Sequence, residues 1–114
     1  MIEKEIIKEK LISIKQRRTT WEMSNRRKNT ITLTKLGINI DVMLTEICEG
    51  LRWDDYVSGP ELDNHASPIP GDVWVFGMTI SEIDCYLKFQ DKPSGVVLWI
   101  SIHEAEKPLH FPFK

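Results

Sequence analysis

Cysteine is scarce in this chain. Cys48 and Cys85 are the only two in 114 residues, each isolated among apolar neighbours and with no C-x-x-C pair. Such a pair reads as free thiols in a reducing compartment rather than as a disulfide framework. No apolar run approaches the roughly 18–20 residues that a membrane span needs. The charged, amphipathic start is not a secretory leader, and the cytoplasm is the expected location. A glycine-rich phosphate loop is missing, and so is a G-x-S-x-G nucleophile elbow, which argues against a P-loop enzyme or an α/β-hydrolase. His103-Glu104 opens like a zinc-protease motif, but residue 107 is lysine, so H-E-x-x-H fails. His103 and His110 have no cysteine pair to complete a zinc site. Neither a metal nor a cofactor is expected.

What the chain does contain suits one globular domain spanning residues 1–114: 41% hydrophobic and 28% charged residues, enough for one core. The net charge of −2 hides an asymmetry. Residues 1–35 carry ten bases against four acids, a net of +6, while residues 36–114 carry five bases against thirteen acids, a net of −8. A basic segment ahead of an acidic body is either an electrostatic footprint for phosphates or two halves that attract each other in the fold. Under the first reading Arg17, Arg18, Arg26 and Arg27 are candidate RNA contacts.

Ile7, Leu11 and Ile14 recur at helical spacing, which predicts a helix over residues 2–16. Thr19-Thr20 can cap a second helical turn with Trp21 and Met23 as its apolar contacts. Residues 31–36 suit either a strand or a helix, and Gly37 is placed to end a helix in a left-handed cap. Asp41 starts a cleaner helix through Val42, Leu44, Ile47, Cys48 and Leu51. Residues 54–72, rich in Ser, Gly, Pro and Asp, read as a long loop with His65 inside it. A strand follows over 73–80, with Val73 and Val75 on one side and Trp74, Phe76 and Met78 on the other. Gly77 suggests a bulge or a close approach.

Residues 83–103 alternate strictly. Ile83, Cys85, Leu87 and Phe89 take one face, with Asp84, Tyr86 and Lys88 on the other. After a turn at 90–95, Val96, Leu98, Ile100 and Ile102 repeat the apolar set, and Val97, Trp99, Ser101 and His103 oppose it. This is a β-hairpin with one core face and one mixed face. Pairing Phe89 with Val96 would set Tyr86 opposite Trp99, Asp84 opposite Ser101 and Glu82 opposite His103. The expected fold is α+β, with N-terminal helices packed on one face of a small antiparallel sheet.

The mixed face is either a solvated surface or a site. Tyr86, Lys88 and His103 on one rigid element suit metal-free acid–base chemistry. RNA supplies its own nucleophile, the 2′-hydroxyl. A protein need only move protons, for which histidine is suited, and stabilise phosphoryl charge, which a lysine and an oriented tyrosine can do.

The order of short motifs resembles a known family. A basic first helix leads to Lys35-Leu36-Gly37-Ile38, Gly50-Leu51 and Trp53-Asp54-Asp55-Tyr56. Asp72-Val73-Trp74, Tyr86-Leu87-Lys88-Phe89 and Ile100-Ser101-Ile102-His103 follow. Together these resemble MqsR-type mRNA interferase toxins, RelE-like proteins of bacterial type II toxin–antitoxin modules. The resemblance implies a RelE-like fold, metal-independent cleavage of mRNA, free or on the ribosome, and a cognate antitoxin as partner. It places the family's active-site tyrosine on Tyr86 and its final-strand lysine on His103, while its other lysine and its glutamine fall on Val57 and Val75. The alternative is a non-catalytic RelE-like module that only binds a partner protein. Residues 104–113 look like a variant branch of the family.

Overall fold

Ile7, Leu11 and Ile14 form the buried stripe of α1 (Lys4–Gln16), as their spacing predicts. The next segment departs from expectation. After a 3-10 turn at Arg18–Thr20 the chain extends as β1 (Trp21–Met23), not as a second helix. Trp21 can then stack on Trp99, with ring centroids 4.9 Å apart, and donate its indole N–H to the Ile14 carbonyl at 2.8 Å. The ambiguous stretch is helical, as α2 (Arg27–Leu36). Gly37 closes it at φ 71°, where a side chain would be strained, and the Gly37 and Ile38 amides return to the Leu33 carbonyl. The α3 helix (Ile40–Gly50) is capped by Asn39, whose Oδ1 accepts the Val42 amide at 2.9 Å, so the helix starts one residue before Asp41.

The computed structural model describes residues 1–62 and 70–114. The first part of the expected loop at 54–72 is not a loop: a 3-10 turn (Trp53–Asp55) runs into β2 (Tyr56–Glu61). Ser58-Gly59-Pro60 looks like a turn, yet an edge strand tolerates proline because its outer side needs no donor. His65 lies outside the described residues. The remaining strands are β3 (Asp72–Ile80), β4 (Ile83–Asp91) and β5 (Val97–Glu104). The sheet is mixed, in the order β1-β5-β4-β3-β2, with β1 parallel to β5 and the other pairs antiparallel. The fold is α+β. Apolar residues of the helices, Ile7, Met43 and Ile47 among them, pack on Trp74, Phe76, Leu87 and Phe89 from one sheet face. No helix of the described residues is long and apolar enough to cross a membrane. Both cysteines are free, and burial pushes the Cys85 thiol up to about 11, so it is not a nucleophile at neutral pH.

The hairpin register differs from strict alternation. Lys88 pairs with Ser101 but Phe89 pairs with Trp99, so Ile100 is an extra residue on β5. One inserted residue reverses the facing of everything beyond it. Val97 and Trp99 therefore point into the core with Ile102, all fully buried, while Leu98 and Ile100 are only half-buried. Val96, Leu98 and Ile100 do not form the core set that the alternation suggested, and Tyr86 faces His103 rather than Trp99.

Beyond Trp99, β5 outruns its short neighbour β1, and side chains of α2 complete its edge. The buried Asn29 donates to the Ser24 and Ile100 carbonyls at 3.1 and 3.0 Å and accepts the Ile102 amide at 2.9 Å. Thr32 accepts the Glu104 amide at 2.9 Å. An exposed strand edge is thus covered and its backbone groups satisfied. Asn29→Ala strands two buried β5 groups, each worth about 1–3 kcal/mol. A loss of about 3 kcal/mol in urea unfolding is the expected result, and a loss under 0.5 kcal/mol would show that water replaces the amide.

Candidate functional site

Alternation on β4 sends Tyr86 and Lys88 away from the helices, and the register sets His103 and Ser101 of β5 directly opposite them. The three residues marked in the sequence therefore meet. The Tyr86 and His103 rings stack with centroids 5.3 Å apart and planes 19° from parallel. They line a cleft of about 360 Å³ with Lys88, Ser101 and Arg26.

His103 Nδ1 lies 2.9 Å from the Glu104 carbonyl oxygen. A carbonyl can only accept, so Nδ1 carries the proton, and the neutral ring keeps its lone pair on Nε2. Burial, together with the Glu61 carboxylate, raises the Tyr86 pKa against the opposing pull of Arg26. The phenol stays protonated at neutral pH and is available as a donor. Lys88 is held in no ion pair among the described residues. A base, a neutral donor and a cation thus share one cleft.

The four arginines are dispersed. Arg26, just before α2, reaches the cleft and donates to Ser101 Oγ at 2.8 Å. Ser101 is nearly fully buried, so it fixes the guanidinium from below. The role of Ser101 was not legible in the sequence, because serine on a strand carries no signal until its neighbour is known. Arg27 is exposed in the first turn of α2, and Arg18 lies over the Trp21 ring, 5.4 Å from its centroid. Arg17 grips Asp91 with both terminal nitrogens, at 2.8 and 3.1 Å, and donates to the Gly95 carbonyl. Lys10 holds the same carboxylate. Lys28 pairs with Glu106 and Lys35 with Glu104. Part of the charge asymmetry is therefore spent inside the molecule, joining the basic segment to the acidic body.

Burial alone would raise the Asp91 carboxyl, but hydrogen bonds from Arg17 and Lys10, with their charges, hold it below its ordinary value. The unfolded chain binds that proton more tightly, at a pKa of about 3.9. The cluster therefore stabilises fully above that pH, and its contribution is lost as pH falls through the lowered folded value. Asp91→Asn should lower the melting temperature at pH 7, with the gap to wild type closing below about pH 4. Calorimetry showing the same gap at pH 2 would assign the effect to packing instead.

Residues 105–114 leave β5 and run back across the sheet. The Ala105 amide donates to the Asp84 carbonyl at 2.8 Å. Leu109 and Phe111 lie against Gly77, and Phe113 packs edge-on to Trp53 and Tyr56 at 5.5 and 5.8 Å. Lys114 Nζ reaches the buried Asp55 at 2.8 Å. Gly77 thus marks a close approach and not a bulge, since the β3–β4 ladder is unbroken.

Of the two other family positions, Val75 is buried beside Lys88 on the neighbouring strand, and Val57 lies on β2. Neither brings a polar group to the cleft. The described residues contain no cluster of His, Cys, Asp and Glu suited to a metal. No protein-family model, curated protein or solved structure matches the chain.

Proposed function

We propose that this chain is an MqsR-type, RelE-like toxin of a type II toxin–antitoxin module that cleaves mRNA without a metal. The observation that carries the reading is the stacked Tyr86–His103 pair in a cleft also lined by Lys88 and Arg26. The RNA 2′-hydroxyl attacks the adjacent phosphorus and passes its proton to His103 Nε2. The bond from phosphorus to the 5′-oxygen breaks, and that oxygen takes a proton from solvent at the open mouth of the cleft. Lys88 and Arg26 stabilise the charge that builds on the phosphoryl oxygens, and the Tyr86 hydroxyl orients one of them. The products are a 2′,3′-cyclic phosphate and a 5′-hydroxyl.

Purified protein incubated with RNA in EDTA, alone and with ribosomes, tests this directly. Cleavage with cyclic phosphate ends is expected. A second reading, a non-catalytic module that binds a partner protein, is favoured by the valines at 57 and 75, where the resemblance puts a lysine and a glutamine. Intact RNA under both conditions, with growth unaffected by expression, would establish that second reading.

A further inference from the structure

We infer that residues 105–114 form a strap that builds the second wall of the Tyr86–Lys88–His103 cleft and confines it to a single unpaired, phosphate-bearing nucleotide. This rests on the nuclease reading above and concerns what the cleft admits.

A sheet face is open by nature, and the hairpin alone would offer Tyr86, Lys88 and His103 on a flat surface. The strap changes that shape. Ala105 through Leu109 rise opposite the strand residues and turn the face into a cleft of about 360 Å³. That is near the lower end of the range for small-ligand sites, roughly 300–1,000 Å³. A nucleotide with its base splayed out fits such a space, whereas the rigid stack of a duplex does not. The floor supplies a ring face for stacking, in the Tyr86–His103 pair. The helix side of the rim is basic, with Arg26, while the strap side carries both Lys107 and Glu106, the latter paired with Lys28. The cations Arg26, Lys88 and Lys107 around an aromatic floor match a base beside its phosphate.

The seat of the strap is narrow, and it depends on a missing side chain. A Cβ on Gly77 would stand 2.5 Å from Leu109 Cδ1 and 2.9 Å from Phe111 Cζ, so a side chain at 77 has to push these two side chains of the strap aside. Beyond it, Phe113 and Lys114 pin the strap to the Trp53–Asp55 turn. Gly77 is not among the residues that line the cleft. Gly77 pairs with Tyr86 across the β3–β4 ladder, so a substitution there is checked by variants of the strap itself.

The test measures binding, not cleavage. Its probe is a short 2′-O-methyl oligoribonucleotide, which cannot attack its own phosphate, used single-stranded and as a duplex. The wild type should prefer the single strand by about tenfold or more. Gly77→Val should keep the fold by circular dichroism and change the tryptophan emission as Phe113 leaves the Trp53 ring. It should also lose about tenfold in single-strand affinity, with the preference over duplex narrowing. The double variant Leu109→Ala, Phe111→Ala releases the strap from its own side and should behave alike, which covers the case that Gly77→Val does not fold. Unchanged affinity with the strap displaced would make the strap mere packing, and tighter binding would make it a cover that blocks the site; either result overturns the inference. A wild type that binds neither probe overturns it together with the nuclease reading. A wild type that binds single strands while both variants bind as well overturns the strap alone.

Discussion

Trp99→Ala is expected to cost about 3–5 kcal/mol, the range for emptying a buried aromatic site, while Leu98→Ala next to it costs about 1 kcal/mol. Trp99 is fully buried, with ring centroids 4.9 Å from Trp21 and 5.0 Å from Phe89, so its loss leaves a void at the junction of β1, β4 and β5. Leu98 is half-buried and leaves no comparable hole. The ranking follows from the bulge at Ile100, because an unbulged hairpin would bury Leu98 and turn Trp99 outward. Urea denaturation of the two variants therefore reads the register directly, and a larger loss for Leu98→Ala would refute it. Trp99→Phe sharpens the test. The Trp99 indole N–H has no hydrogen-bond partner among the described residues, so phenylalanine removes an unpaired donor together with some packing. Its cost should be well below that of alanine.

His103→Ala is expected to lower RNA cleavage by about 10²–10⁴, the usual contribution of a positioned general base. Stability should be nearly unchanged, because His103 is half-buried on the face away from the core. Expressed without a cognate antitoxin, the wild type should arrest growth and deplete mRNA, and the variant should do neither. Tyr86→Phe removes one hydroxyl and keeps the ring that stacks on His103, so a smaller fall, about tenfold, is expected. Cleavage retained at wild-type rate in His103→Ala would remove the histidine from the mechanism. A variant that unfolds would show instead that the ring pair is a packing contact. Circular dichroism and melting curves on the same samples distinguish these outcomes.

Helices α1 and α3 were legible because each carries apolar residues at three- and four-residue steps, a local signal that any amphipathic helix must show to bury one stripe. Gly37 was legible for a similar reason, since a left-handed cap leaves little choice of residue. The β4 strand and the shared face of Tyr86, Lys88 and His103 followed from a period of two. Elsewhere the local pattern had two solutions. Trp21 and Met23 suit a helical turn as well as a strand, and only the exposed edge of β5 at Val97–Trp99 makes them β1. Ser58-Gly59-Pro60 suits a turn, and only its position beside β3 makes it an edge strand.

Long-range packing decided the rest. Parity along β5 hinges on one inserted residue, and nothing in Trp99-Ile100-Ser101 marks where the insertion falls. Its position is set by how β4, β1 and α2 seat together around Asn29, Trp21 and Phe89. The arginines carried the same charge and the same promise in the sequence. Their separate positions, Arg17 locked on Asp91 and Arg26 held by Ser101 at the cleft, depend on partners 74 and 75 residues away along the chain. Residue types and local periods determined the helices, the hairpin and the chemistry on its open face. Only the tertiary structure turned that face into a cleft, because a wall needs two segments brought together, and residues 105–114 meet Gly77 nowhere but in the fold.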